Sequence, residues 1–246
     1  MRIFRESMLL TTNLIDIHKE FHLYAMINLL QDLAARHADD LGFGWNFMNA
    51  NNWFWVLIRL RIDILQHPKW KEKLIVETWP KAHDMISSYR DFVFTDLEGN
   101  ELIRASTAWI VLDRETRRPV RMSKVFSQQR PLVRRDAINE PLNKILIPKE
   151  KFLLRKLKVL YTDLDMNLHM NNANYVRKIL DAYELDFLQK HHAKQLILNF
   201  LKETVYGQTL NVYLHNSLQE KIHYLSLETQ GQTCLFAQIK WEKIQK

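Results

Sequence analysis

One cysteine, Cys234, stands among 246 residues, so no internal disulfide framework can form. Five glycines and six prolines are too few for a low-complexity or disordered chain. No stretch reaches the roughly 18 uninterrupted apolar residues of a spanning helix. The longest patches are short; WFWVLI at 53–58 runs straight into Arg59. The opening MRIFRESMLL has no apolar run followed by a small-residue cleavage site, so it does not read as a signal peptide. These absences lead to the expectation of a cytoplasmic protein without membrane insertion. Chemical signatures are missing as well. There is no G-x-S-x-G elbow, no Gly-rich phosphate loop, no G-x-G-x-x-G and no H-E-x-x-H. No RNP pair, KH loop or zinc spacing supports nucleic-acid binding.

What is present is core-forming material. Apolar residues make up 47% of the chain, with seven Trp and twelve Phe. The length suits one large domain or two compact ones. The formal net charge of +7 leaves nucleic acid, a membrane surface or an acidic protein as partner.

The hydrophobic pattern occurs twice. Residues 19–39 carry Phe21, Tyr24, Ile27, Leu30 and Leu33 at helical spacing and end before Gly42 and Gly44. Strand-like segments follow at 53–64, 73–79, 87–96 and 102–113, with a turn signal at 96–100 around Gly99. A second helical segment at 171–191, with Asn171 or Asn172 as its cap, precedes strands at 196–205, 209–216, 221–230 and 233–244. Asp16 and His22 lie 147 positions before Asp163 and His169. Gly99 and Trp109 lie 132 positions before Gly231 and Trp241. Such correspondence predicts an internal duplication. Each copy is expected to be a long amphipathic helix covering one face of an antiparallel sheet, the two sheets joining edge to edge. The Arg-, Lys- and Pro-rich stretch 114–150 is the connection, long because the chain must travel from the end of one unit to the start of the next.

The densest polar cluster, YTDLDMNLHMNNANY at 161–175, alternates Asp163, Asp165, Asn167 and His169 with Leu164, Met166 and Leu168. In an extended segment the four polar side chains share one side. Three readings stay open: an acid–amide–imidazole array for catalysis, a polar helix cap, and a metal site lacking a second nearby His or Cys. Glu203, in the apolar LILNFLKETV, is a second candidate, either solvent-exposed or a general base. Cys234 reads as a buried, inert thiol.

At these residues the chain resembles the acyl-acyl-carrier-protein thioesterases, the plant plastid enzymes and their bacterial relatives. DLDMNLHMNNANY at 163–175 carries the likeness most specifically, supported by LLQDLAARHA, IVETWP and LNFLKET. It covers roughly 3–244 in the bacterial, mature-length form. The resemblance implies an α+β tandem hot-dog fold, each unit a sheet wrapped around a long central helix. It implies a hot dog at 1–123 with the acyl-chain pocket, a linker at 124–150, and a hot dog at 151–246 with the catalytic residues. Asp165, Asn167, His169 and Glu203 occupy the family's catalytic positions. Glu203 would activate water with Asn167 and His169, Asp165 would orient that region, and a backbone N–H at the start of the second helix would hold the oxyanion. Plant members have Cys after the Glu; here it is Thr204, which puts a thiol role in doubt. No cofactor or metal is implied. The first copy, with Glu20 aligned to Asn167, reads as a degenerate site.

The implied partner is an acidic acyl carrier protein. The basic residues from Arg114 to Lys158, including Arg117, Arg118, Arg121, Lys124, Arg130, Arg134, Arg135 and Lys149, would steer it. Competing readings are an acyl-coenzyme A thioesterase, a hot-dog dehydratase, and a non-enzymatic basic binding module. The fusion supplies the hot-dog pairing internally and leaves a homodimer open.

Overall fold

The computed structural model describes residues 3–126, 132–133, 135–216 and 218–244. Its first half runs β1 (Phe4–Leu9), α1 (Leu23–Asp40), α2 (Trp45–Ala50), β2 (Trp53–Ile64), β3 (Lys73–His83), β4 (Ser87–Thr95) and β5 (Glu101–Asp113). A short helix α3 (Met122–Val125) follows. The second half runs β6 (Phe152–Lys158), α4 (Asn172–Leu180), α5 (Leu185–Leu188), β7 (His191–Phe200), β8 (Thr209–Leu214), β9 (Ile222–Thr229) and β10 (Gln232–Lys243).

All ten strands form one sheet in the order β1-β3-β4-β5-β2-β7-β10-β9-β8-β6, with antiparallel pairing throughout. The second five strands repeat the first five in mirrored order, so the sheet is palindromic about the β2–β7 seam. There Arg59 faces Asn199, Leu60 faces Leu198 and Ile62 faces Leu196. The apolar faces of α1 and α4 share one continuous core with alternate residues of both half-sheets, such as Leu60, Ile62, Phe92, Leu198, Leu225 and Ile239. This is the α+β tandem hot dog expected from the sequence, joined edge to edge.

Local chemistry explains the elements. β2 follows the apolar–alternating run at 53–64 residue for residue. Gly99 has φ of +91° in the β4–β5 turn, where Asp96 Oδ1 accepts the Asn100 N–H at 2.8 Å. Gln230 and Gly231, at φ of +49° and +74°, make the two-residue β9–β10 turn.

The helices differ from expectation. α1 starts at Leu23, not residue 19, because His22 is its N-cap and Phe21 is tied to the Pro68 carbonyl at 2.9 Å. The expected helix at 171–191 ends at Leu180. Its Tyr183 turns inward, pairing with His223 Nδ1 at 2.8 Å and packing edge-on to Trp241, and the chain restarts as α5 and then β7. Each half also has a fifth strand, β1 or β6, at the outer edge of the sheet.

The described part of the connection is a strap across the outer face of the sheet. The Arg135 carbonyl accepts the Trp79 indole N–H at 2.8 Å, and the Ala137 N–H donates to buried Asp91 at 2.8 Å. At the seam, Arg59 donates to the Leu142 carbonyl at 2.6 Å and Asn199 Oδ1 accepts the Ile145 N–H at 2.7 Å. His215 then meets the Pro148 carbonyl at 2.8 Å in the second half. The side chains of both half-sheets thus fix its route.

Candidate active site

The loop between β6 and α4 is not extended. Asp163 closes a 3-10 turn at Tyr161–Asp163, accepts the Leu160 N–H at 2.8 Å, and pairs with Lys178 at 2.8 Å. It is buried and structural. The chain then reverses. The Asp165 N–H donates to the His169 carbonyl at 2.7 Å, and Leu168 adopts φ of +62°, a left-handed conformation uncommon for a residue with a branched side chain. Asp165 Oδ1 accepts the N–H groups of Asn167 at 2.8 Å and His169 at 3.2 Å. The alternating polar face expected from the sequence is replaced by a tight turn built on the Asp165 carboxylate.

His169 and Glu203 come together, with Nε2 to Oε2 at 3.5 Å. Glu203 is not within a strand. β7 ends at Phe200, and Glu203 follows in a loop, its side chain 33% exposed. That loop is pinned to the first. The Met170 N–H donates to the Thr204 carbonyl at 2.8 Å, and Tyr175 Oη meets Thr204 Oγ1 at 3.0 Å. Arg117, at φ of +57° in the turn after β5, ion-pairs with Glu203 Oε2. In the sequence it reads as one of the surface arginines, and nothing in its DRETRRP surroundings marks it for this site. Asn167 is exposed on the same turn, and Asn171 caps α4 by accepting the Ala173 N–H at 2.9 Å.

Asp165, Asn167, His169, Arg117 and Glu203 line a cleft of about 610 Å³ between the second half's loops and the first half's β2 and β5. Gln31, Trp55 and Trp109 are shared between this cleft and a smaller pocket of about 180 Å³, lined also by Ala34, Ala38 and Phe43. The pocket runs between α1 and the first half-sheet, where buried Arg90 donates to His37 Nδ1 at 2.9 Å and Thr78 Oγ1 at 3.1 Å. Polar groups therefore sit at the mouth of an apolar slot.

A counterpart lies across the seam, at a different offset from the 147 read in the sequence. Asp16 Oδ1 accepts the N–H groups of His18 at 2.8 Å and Glu20 at 3.1 Å, and Lys19 has φ of +59°. The equivalent pairs are thus Asp16 and Asp165, His18 and Asn167, Glu20 and His169, and His22 and Asn171, an offset of 149. On the partner loop Glu20 bridges Lys69 as His169 bridges Val205, which makes His67 the counterpart of Glu203. The acid and the imidazole have changed places. Trp241 lines the counterpart cleft as Trp109 lines the first, and that cleft measures about 620 Å³.

Cys234 is buried, and burial pushes its thiol above the usual range. Its Sγ meets the Gln232 carbonyl at 3.7 Å and the backbone of Thr229. Cys234→Ala and Thr204→Ser should each keep any turnover at this cleft within a few-fold of wild type. Loss of turnover in a folded Cys234→Ala protein would restore a thiol to the chemistry.

The family model described as acyl-ACP thioesterase N-terminal domain matches residues 1–129, and the acyl-ACP thioesterase C-terminal domain matches 147–243. The chain is 28% identical over 217 residues to oleoyl-acyl carrier protein thioesterase 2, chloroplastic, of Arabidopsis thaliana, covering 81% of this chain and 59% of that protein. It is 27% identical over 196 residues to palmitoyl-acyl carrier protein thioesterase, chloroplastic, of Gossypium hirsutum, covering 72% and 46%. The chain thus spans less than two thirds of the length of these relatives. An acyl-ACP thioesterase from Bacteroides thetaiotaomicron shares the fold, with a TM-score of 0.85, 23% identity and 98% of each chain covered. The 12:0-ACP thioesterase from Umbellularia californica superposes with a TM-score of 0.81 at 21% identity, again over 98% of each chain.

Proposed function

The chain belongs to the acyl-ACP thioesterase family, and from that membership we propose that it hydrolyses fatty acyl-acyl carrier protein to free fatty acid and carrier thiol. The observation that carries the reading is the His169–Glu203 pair at the mouth of an apolar slot, 3.5 Å apart. Arg117 and His169 both approach Glu203 Oε2, which leaves Oε1 to the attacking water. Glu203 takes a proton as the water oxygen bonds to the thioester carbonyl carbon. A backbone N–H at the start of α4 holds the oxyanion, and Asn167 helps orient the water. The intermediate collapses with cleavage of the C–S bond, and the proton returns to the leaving thiolate from Glu203 or through His169. Asp165 acts as a positioning residue through the turn.

The proposed division of labour gives residues 1–123 the acyl pocket, 124–150 the connection and 151–246 the reacting groups. The small Ala34 and Ala38 and the ring of Trp55 would set the depth available to the chain. As part of this proposal the compartment is the cytoplasm, and the reaction a release step of fatty acid biosynthesis. Among the described residues no helix is long and apolar enough to cross a membrane.

The basic residues do not form one surface. Arg118, Arg121 and Lys124 are exposed beside the cleft, whereas Arg155 and Lys156 lie on β6, the far edge of the sheet. Arg130 and Arg134 lie outside the described residues. An acidic carrier is therefore expected to dock at the cleft-side group. Matched acyl-carrier and acyl-coenzyme A substrates test both points. The carrier form should react faster, and Arg118→Glu/Arg121→Glu/Lys124→Glu should lower its second-order rate about tenfold or more at low salt, with a smaller difference at high salt. Equal rates on both substrates, insensitive to charge reversal and salt, would favour the coenzyme A reading.

A further inference from the structure

Across the seam from the active cleft, three side chains from three segments converge. Glu20 comes from the loop before α1, His67 from the loop after β2, and His192 from β7 in the other half. Glu20 Oε2 lies 3.1 Å from His67 Nδ1 and 3.1 Å from His192 Nδ1. All three side chains are largely buried, with exposures of 12%, 9% and 18%. Among the described residues this is the group of His, Cys, Asp and Glu whose ligand atoms fall within reach of one ion.

We propose that Glu20, His67 and His192 hold a divalent transition-metal ion of the zinc type, which clips the first half to the second. Two imidazoles and one carboxylate are a recurrent donor set for such ions. Tetrahedral coordination at about 2.0–2.1 Å separates the ligand atoms by about 3.3–3.4 Å, so the carboxylate oxygen and each nitrogen need part by only a few tenths of an ångström. The imidazole rings stack, with centroids 4.0 Å apart. They must splay for both lone pairs to converge, and His192, the more exposed ring, is the one placed to swing.

The surroundings support the assignment. His192 Nε2 lies 3.3 Å from Glu242, the carboxylate behind the imidazole that orients metal-bound histidines. His67 and His192 also line the 620 Å³ counterpart cleft, from which water or a small anion could complete the coordination. In the active cleft the same backbone positions carry His169 and Glu203, without a third ligand at 3.1 Å. Residue 56, which corresponds to His192 by the β2-to-β7 relation, is Val. The donor set is specific to this side of the molecule.

The test uses the full-length chain without a histidine tag, stripped of metal with a chelator and exchanged into chelator-free buffer. Zn²⁺ is titrated in competition with a chromophoric chelator, and thermal unfolding is followed with and without the ion. About one equivalent should bind, and the ion should raise the unfolding temperature. His192→Ala, checked for folding by circular dichroism, should weaken binding at least about tenfold and abolish the thermal shift, since removing one of three protein ligands dismantles the site. Glu20→Gln should act in the same way, whereas His169→Ala in the active cleft should bind Zn²⁺ like wild type. Absence of stoichiometric binding, or binding and thermal shift retained in His192→Ala, would overturn the proposal.

Discussion

Glu203→Gln should reduce the single-turnover rate on an acyl-carrier substrate by about two orders of magnitude or more, as loss of a general base commonly does. Gln keeps the size and can still accept a hydrogen bond from Arg117, but it cannot take the proton from water. Folding should hardly change. The side chain is 33% exposed and its partner Arg117 47% exposed, and ion pairs of that kind contribute little stability. Substrate affinity should also be kept, because the apolar slot is built from α1, β2 and β5. His169→Ala should fall steeply too. The double variant should lose less than the product of the single losses, since in the proposed mechanism the two groups, 3.5 Å apart, act together. Single-turnover kinetics with circular dichroism as the folding control measures this. A folded Glu203→Gln enzyme of near-wild-type rate would remove Glu203 from the chemistry and leave His169 as base.

Replacing Asp165 should separate a positioning role from a charge role. Its Oδ1 accepts two backbone N–H groups, from Asn167 and His169, in a turn that also forces Leu168 to positive φ. Asp165→Ala leaves both donors without that acceptor, a loss of about 0.5–1.5 kcal/mol per hydrogen bond in this largely solvent-accessible turn, and frees the segment carrying Asn167 and His169. Turnover should drop about tenfold or more. Asp165→Asn retains a carbonyl oxygen at the same place, so it should restore the rate to within a few-fold of wild type. If Asn is as damaging as Ala, the negative charge itself acts on the imidazole, and the turn is not the explanation. The pH–rate profile gives a second readout: the Asn variant should keep the wild-type shape if Asp165 acts only through the turn.

The large elements were legible because their signals are local. The 53–64 run, the Gly99 turn and the alternating second-half strands follow side-chain period and turn chemistry, and the repeat of helix before sheet foretold two units. The structure departs from the sequence pattern where distant contacts decide. The second helix stops at Leu180 because Tyr183 finds His223 and Trp241, residues some sixty positions away or fewer but on other strands. Alternation in 163–169 suggested an extended array, yet Asp163 is drawn inward by Lys178 and Asp165 closes a turn. The apolar run around Glu203 reads as strand, although β7 ends three residues earlier. The 147 offset matched residue types, Asp to Asp and His to His. The backbone equivalence is 149 and matches conformations, down to the positive φ of Lys19 and Leu168. Identity of residue type had hidden the exchange of acid and imidazole between the sites. Arg117 carried no sequence signal because its role depends on a turn meeting a loop 86 positions away.

The seam at the middle of the sheet has a consequence for how the molecule is made. A ribosome completes β1 to β5 well before it reaches residue 191. During that interval β2, twelve residues long, is a bare edge with unsatisfied backbone donors and acceptors, the kind of edge on which nascent chains stick to one another. Its seam-facing stretch is guarded by charge. Arg59, Arg61 and Asp63 stand at the positions that later meet Asn199, Ile197 and Gln195, so charged side chains line the bare edge, as on guarded edge strands. The strap emerges next, and Arg59 is the residue that receives it through the Leu142 carbonyl. The protecting charges are thus the same groups that later fasten the finished sheet.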